Sequence, residues 1–401
     1  MDGRLDGIRL WDGDADRGPS VLTWSGGRIT EVQAAERDRL PELCAIPGLV
    51  DTHVHMLGFA GEQGDPAGRD TFTWPLVTTR EEQTLHAAAN AGKALRGGVT
   101  TLRDLAGDEA QVAVGRAFDS GILPGPRVRV SGPVGMTAGH LDLFTPAAVR
   151  NRPPTADGPD ACRALVRRWA RAGITGIKIF TSGGVLSVGD RVGWRNHTRA
   201  ELEATIDEAH ALGMLVAAHA HSAEGIRIAI EVGADSVEHG TELAEPEAAE
   251  LARRNIPVGP TLLINEIIAA GRGATGEARE KAAELVERRD ALLKAAAAAG
   301  VRFVLATDAS GYFVRFGDQM AEVARMVQVL GIDPARALRA ATSDAADSIG
   351  IGGDVGRLAP GFGADLVVLR GRPWERIEDL DPANIAAVVC RGRVLSGALP
   401  G

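Results

Sequence analysis

Ile46-Pro47-Gly48-Leu49-Val50-Asp51-Thr52-His53-Val54-His55 opens as a short apolar strand and runs straight into two histidines one residue apart. Pro47 and Gly48 punctuate its start, so the histidine pair lies at its exit. Side chains alternate faces along a strand, which puts His53 and His55 on the same side. Two imidazoles so placed can grip one divalent cation, although two polar residues capping a strand is the plainer reading of an isolated pair. The residues downstream of the pair decide between the two.

Apolar, strand-like segments recur at 99–104, 127–131, 176–180, 215–219, 235–239, 256–261 and 303–308. Helical periodicity fills the gaps, most clearly at 80–96, 199–212, 277–299 and 334–349. With the opening strand this makes eight, alternating with helices over about 300 residues, the pattern of a (β/α)8 TIM-like barrel. Pro257 removes a ladder donor, so it is expected at the first paired residue of its strand. The two ends of the chain differ: 8–11, 21–24, 28–32, 365–369, 385–390 and 392–395 are strand pieces separated by glycine and aspartate turns. The predicted fold is therefore α/β, a barrel over 47–352 with a small β-sandwich domain formed by 1–46 and 353–401. Long connections at 56–79, 132–159, 181–198 and 309–318 all come after strands, on the side where barrel enzymes place their sites.

The bulk composition narrows the partners. The chain has 401 residues, 45% hydrophobic and 24% charged, the balance of a soluble globular protein. A net charge of −9 without a dense basic patch excludes nucleic-acid binding as the main role and leaves a small-molecule substrate. The first residues carry no apolar core of a signal peptide, and no run reaches the length of a membrane span. Cys44, Cys162 and Cys390 have neither metal-knuckle nor CxxC spacing, so they are expected to be reduced thiols in a cytoplasmic protein. A homo-oligomer is the expected assembly.

The polar residues at the strand exits share one chemistry. They are His53 and His55 on strand one, Lys178 on four, His219 on five, His239 on six and Asp308 on eight. In a closed barrel these ends converge on one cup, and four imidazoles with a carboxylate suit a borderline divalent metal such as zinc. A protonated Lys178 beside cations would be repelled and poorly solvated. Its neutral amine could instead take up carbon dioxide and form a carbamate bridging two metals; the other reading pairs a shifted lysine with Asp308 over one metal. The carbamate is favoured because two cations share its charge.

These motifs together resemble the amidohydrolase superfamily: HVH after a strand, Lys178 in GIKIF, His219 in VAAHAH, His239 in SVEHG and Asp308 in ATDA. More narrowly, the segment from Ile177 to Ser187, with its GGVLS end, and the closing GRLAPGFGADL are similar to the prolidase-like and imidazolonepropionase-related binuclear hydrolases. The resemblance implies that His53, His55 and Asp308 hold the more buried metal and His219 and His239 the other, with carboxylated Lys178 between them. It also implies that Asp308 moves a proton from a bridging hydroxide to the leaving amine. A histidine in the loop after strand three often lies near the substrate carbonyl in this group, and His140 stands there. His221 shares a face with His219 and is assigned to the substrate or to support of the ligands; some relatives carry a tyrosine near this position. Arg227, in the helix after strand five, and Tyr312, close behind Asp308, complete the expected substrate contacts. His86, His197 and His210 are read as structural.

The activity implied is hydrolysis of an amide bond by a metal-bridging hydroxide, in a dipeptide such as Xaa-Pro or in an N-acyl amino acid. Hydrolysis of a cyclic amide, lactone or ester, single-metal deamination, and a non-catalytic ligand-binding barrel are the competing readings. Lys178 argues against the deaminase, and the full set of polar positions argues against the binder.

Overall fold

The structure, a computed structural model, describes residues 2–61, 67–69, 73–150, 152–274 and 276–400. Four strands open the chain: β1 Gly3–Trp11, β2 Asp16–Ser25, β3 Arg28–Ala34 and β4 Leu43–Pro47. Seven more form the barrel wall, β5 Leu49–Val54, β6 Val99–Asp104, β7 Arg127–Pro133, β8 Gly176–Phe180, β9 Leu215–Ala220, β10 Ser236–His239 and β11 Val258–Gly259. Three close the chain, β12 Leu366–Arg370, β13 Ile385–Cys390 and β14 Arg393–Gly397.

Strands β5 to β11 pair in sequence order, each parallel to the next, as right-handed strand–helix units require. Pro257 sits just before β11, where its missing N–H breaks no ladder bond. The eighth barrel segment forms the bridges Val258 to Phe303 and Val54 to Ala309 rather than a regular ladder. Its backbone bonds both neighbours: Thr52 N–H donates to the Leu305 carbonyl at 2.9 Å, Asp308 N–H to the His53 carbonyl at 2.8 Å and Val304 N–H to the Val258 carbonyl at 3.0 Å. Side chains reinforce these backbone bonds. Thr307 donates its hydroxyl to Asp51 Oδ2 at 2.6 Å and Thr52 donates to the Leu305 carbonyl at 2.7 Å. The segment therefore closes the barrel without becoming a strand.

The helices over 80–96, 199–211 and 276–298 lie where the periodicity puts them. The stretch at 334–349 divides into Pro334–Ala340 and Ser343–Ser348, because the Ala340 and Ala341 carbonyls accept bonds from Leu305 and Val50 instead of continuing a helix.

Both termini contribute to one seven-stranded sheet, ordered β14-β13-β12-β4-β1-β2-β3. It is rolled rather than flat, since Trp24 on β2 donates to the Gly392 carbonyl beyond β13 at 3.1 Å. Leu10, Leu22, Trp24, Leu366, Val368 and Val389 pack together inside the roll. Among the described residues no helix is long and apolar enough to cross a membrane. All three cysteines are buried and unbridged.

Candidate metal centre

The exits of the barrel strands enclose a cavity of about 350 Å³. His53, His55, His140, Lys178, His219, His221, His239 and Asp308 all line it. They form two donor groups. His55 Nε2 lies 3.0 Å from Asp308 Oδ1, and His53 Nε2 lies 3.5 Å from the same oxygen. On the other side His219 Nδ1 faces His239 Nε2 at 2.9 Å. The remaining nitrogens of these two rings can spend their hydrogens on oxygen, His219 Nε2 on the Gly183 carbonyl at 3.2 Å and His239 Nδ1 on Thr261 Oγ1 at 2.8 Å. That leaves two lone pairs aimed at one point, an arrangement that suits a cation.

The backbone turns to make this possible. His239, at the end of β10, and Asp308, in the closing segment, have φ of 70° and 57°, the left-handed region that costs a non-glycine residue about 1–2 kcal/mol. Each turn swings a donor over the mouth of the barrel, and strain of this kind collects at functional sites.

Burial keeps three of the imidazoles neutral: it pulls His53 down to about 4, and it holds His219 and His239 well below the ordinary histidine value. At His55 the Asp308 carboxylate outweighs burial and shifts the ring upward. Neutral rings are ready ligands. Burial alone would raise the Asp308 carboxyl, but His53 and His55 outweigh it and hold the group at about 2, ionised. Burial also lowers Lys178, to about 8. Its Nζ is buried with no hydrogen-bond partner, an expensive condition for any amine left as it is. A buried orphan amine beside three neutral imidazoles, His55 and an ionised carboxylate fits conversion to a carbamate that would ligate a divalent cation.

His140 is held on three sides. Its backbone N–H donates to Asn196 Oδ1 at 2.8 Å, and its Nδ1 lies 2.7 Å from Ser187 Oγ and 3.2 Å from Asp190 Oδ2. Its ring stacks on His219 with centroids 4.3 Å apart. The two glycines of the GGVLS segment explain themselves here. A Cβ on Gly184 would stand 2.0 Å from His140 Cε1, and one on Gly183 would stand 2.1 Å from the Arg191 carbonyl. His221 binds Thr241 Oγ1 through Nδ1 at 2.7 Å and stacks on His239.

Two expected substrate contacts lie elsewhere. Arg227 pairs with Glu224 on the outer surface of its helix, its side chain 53% exposed. Tyr312 is 40% exposed and lines a separate groove with Arg272 and Asp381. Neither lines the cavity, because the helix after β9 turns Arg227 outward and the chain beyond Asp308 carries Tyr312 past the rim. The structural readings of the other histidines agree with their partners: Ala60 N–H for His86, the Ala156 carbonyl for His197 and Asp235 for His210.

Sequence reasoning misses Glu238, although a carboxylate inside the apolar strand SVEHG is itself a signal. It lies beside His219 in the ladder, fully buried, and takes His53 Nδ1 at 3.0 Å and Arg103 Nη2 at 2.8 Å. Burial would raise its pKa, but Arg103 and His53 outweigh that and hold it well below the usual carboxylate range. Its bond to Nδ1 leaves Nε2 of His53 free to face the cavity. Asp190, Ser187 and Thr261 are missed too, since no local pattern marks a loop residue that acts through a distant ring.

The model of the amidohydrolase family matches residues 44–395. The chain belongs to the amidohydrolase family. Ochratoxinase from Aspergillus niger is 33% identical over 383 residues, covering 90% of this chain and 76% of that protein. Imidazolonepropionase from Salinispora tropica is 28% identical over 370 residues, covering 87% of this chain and 83% of that protein. A crystal structure of a Xaa-Pro dipeptidase with methionine bound in its active site superposes with a TM-score of 0.86 at 28% identity, covering 98% of this chain and 99% of that one. As an amidohydrolase, the chain shares the TIM-barrel fold of these relatives, and its histidine-rich cavity stands at the mouth of that barrel.

Proposed function

We propose that this amidohydrolase is a binuclear, metal-dependent amidase that hydrolyses the C–N bond of an N-acyl amino acid or of a dipeptide such as Xaa-Pro. One observation carries the reading: the donor groups His53–His239–Asp308 and His219–His221–His239, which share His239, meet the unpartnered Lys178 amine in a single cavity. His53, His55 and Asp308 would hold one divalent cation and His219 and His239 a second, with Lys178 between them as N6-carboxylysine. Zinc suits this mixture of imidazole and carboxylate. Two such ions activate a water molecule and polarise the scissile carbonyl.

The chain's own residues do the rest. Asp308, ionised and in reach of the centre, takes a proton at its free carboxylate oxygen and returns it to the leaving nitrogen. His140 presents Nε2 to the cavity because Nδ1 is committed to Ser187 and Asp190. Burial lowers the pKa of His140 and Asp190 works against that shift. The ring carries an Nε2–H only after taking up a proton, and Asp190 stabilises it in that form against the charge growing on the carbonyl oxygen. Leu57, Leu105, Phe144 and Phe180 line the approach and exclude water. The names of the relatives, ochratoxinase and Xaa-Pro dipeptidase, support an amide substrate. The buried, reduced cysteines suit a cytoplasmic setting.

Turnover of a library of dipeptides and N-acyl amino acids tests the reading. Lys178→Ala is expected to lose at least 100-fold in kcat/KM and to regain part of it with a short carboxylic acid. Full activity of that variant without the acid would contradict the role of Lys178. Activity confined to lactones and esters would move the chain to the competing hydrolase reading.

A further inference from the structure

Most polar side chains around the cavity are committed to a neighbour: His53 to Glu238, His140 to Ser187 and Asp190, His221 to Thr241, and His239 to Thr261. Asn265 is not. It is 2% exposed, lines the cavity from the helix Leu262–Ala269, and its amide nitrogen has no hydrogen-bond partner. A buried amide left unpaired is costly. This nitrogen is closed off from solvent as the side chain stands, and a turn of the amide about its last bond exchanges it with the oxygen at the cavity wall.

Its position is well defined. Thr261, just before the helix, holds His239; Asn265 is four residues on, one turn along the same face. The start of the helix is fixed by Glu322, which accepts from Leu262 N at 2.6 Å and Leu263 N at 3.0 Å, and by Arg289, which donates to the Leu262 carbonyl at 2.8 Å. Ile264 and Ile268 flank Asn265 in the lining. Among the described residues no arginine lines the cavity, so no guanidinium competes for a substrate oxygen there.

We propose that Asn265 donates its side-chain N–H to a second carbonyl or carboxylate oxygen of the substrate, outside the scissile bond. Ile264 and Ile268 beside it select an aromatic or branched aliphatic substituent. This rests on the amidase reading, in which the scissile oxygen is served by the metals and His140. An N-acyl amino acid offers its carboxylate as that second oxygen.

The test is calorimetric binding to the metal-loaded full chain, with steady-state kinetics on the same ligands. The probes are N-benzoyl-L-phenylalanine, its carboxamide, and N-acetylglycine. Asn265→Leu is expected to weaken the two phenylalanine probes by about 10- to 100-fold, raising KM more than it lowers kcat, with unchanged metal content and thermal midpoint. Asn265→Asp is expected to weaken the acid more than the carboxamide, because a second carboxylate repels the first. N-acetylglycine is expected to bind at least 10-fold more weakly than N-benzoyl-L-phenylalanine to the wild type. Wild-type affinity for both phenylalanine probes in both variants overturns the assignment, as does failure of the wild type to bind any probe. Binding that depends on Asn265 without turnover of any amide would instead overturn the amidase reading and leave Asn265 in place.

Discussion

Glu238 and Gly184 do the least conspicuous work in this centre and make the sharpest residue-scale tests. Glu238 joins His53 to Arg103, both buried, so Glu238→Gln leaves a charged guanidinium without its counter-ion. A loss of about 3 kcal/mol in stability is expected from breaking such a pair, together with about 10- to 100-fold weaker binding of the first metal. Denaturation and metal titration of the variant check both, and a variant equal to wild type in each would remove Glu238 from the account. Gly184→Ala would drive a methyl into the His140 ring. A displacement of that order is expected to cost about 100-fold in kcat while two metals remain bound. The histidines are legible in sequence because each ends an apolar strand. Glu238 and Asp190 are less so, because their effect is exerted on a ring brought near only by the fold. Arg227 and Tyr312 fare worst: sequence position carries them to the right loops, but the helix face of one and the course of the chain at the other turn them away.

At the scale of elements, the helix Leu262–Ala269 matters most, since it carries Asn265 and supports His239 through Thr261. Its start is held by the buried Glu322 carboxyl, which burial pushes up to about 8 from 4.5. A folded-state value above the unfolded one means that stability is greatest below about pH 4.5 and is lost as pH rises through 8, at up to about 1.4 kcal/mol per pH unit. Glu322→Gln removes the titration, so the advantage of wild type over the variant should shrink between about pH 5 and about pH 9. Denaturation of both proteins at several pH values measures it, and a difference independent of pH would contradict it. The helices are legible here by their period, and the parallel strands as short continuous apolar runs buried on both faces. The closing segment 303–308 is expected as a strand, and its apolar pattern is that of one. Its backbone does bond both neighbours, though not as a regular ladder, and the Asp51, Thr52 and Thr307 side chains add bonds that periodicity does not register.

At the scale of the molecule, the six proposed ligands are brought together from strands far apart in the chain, and two antiparallel runs from the termini roll into one sheet beside the barrel. A cation pair at the mouth would bind the folded state alone and stabilise it by mass action, by about 4 kcal/mol at a thousandfold excess over Kd. Chelation is therefore expected to lower the thermal midpoint reversibly by several degrees, read by calorimetry before and after zinc is returned; an unchanged midpoint would mean that no metal spans these strands. The barrel itself can be argued from the alternation of strands and helices, and the terminal sheet from its turn-rich composition. The roll of that sheet cannot, because it depends on contacts such as Trp24 with Gly392 that have no local signature.

The count of metal ions per chain, taken by elemental analysis with and without bicarbonate in wild type and in Lys178→Ala, bears most directly on the proposed centre. Two zinc ions are expected in the wild type with bicarbonate present, and a fall toward one or none when Lys178 is replaced. One ion per chain in both proteins, indifferent to bicarbonate, would contradict it.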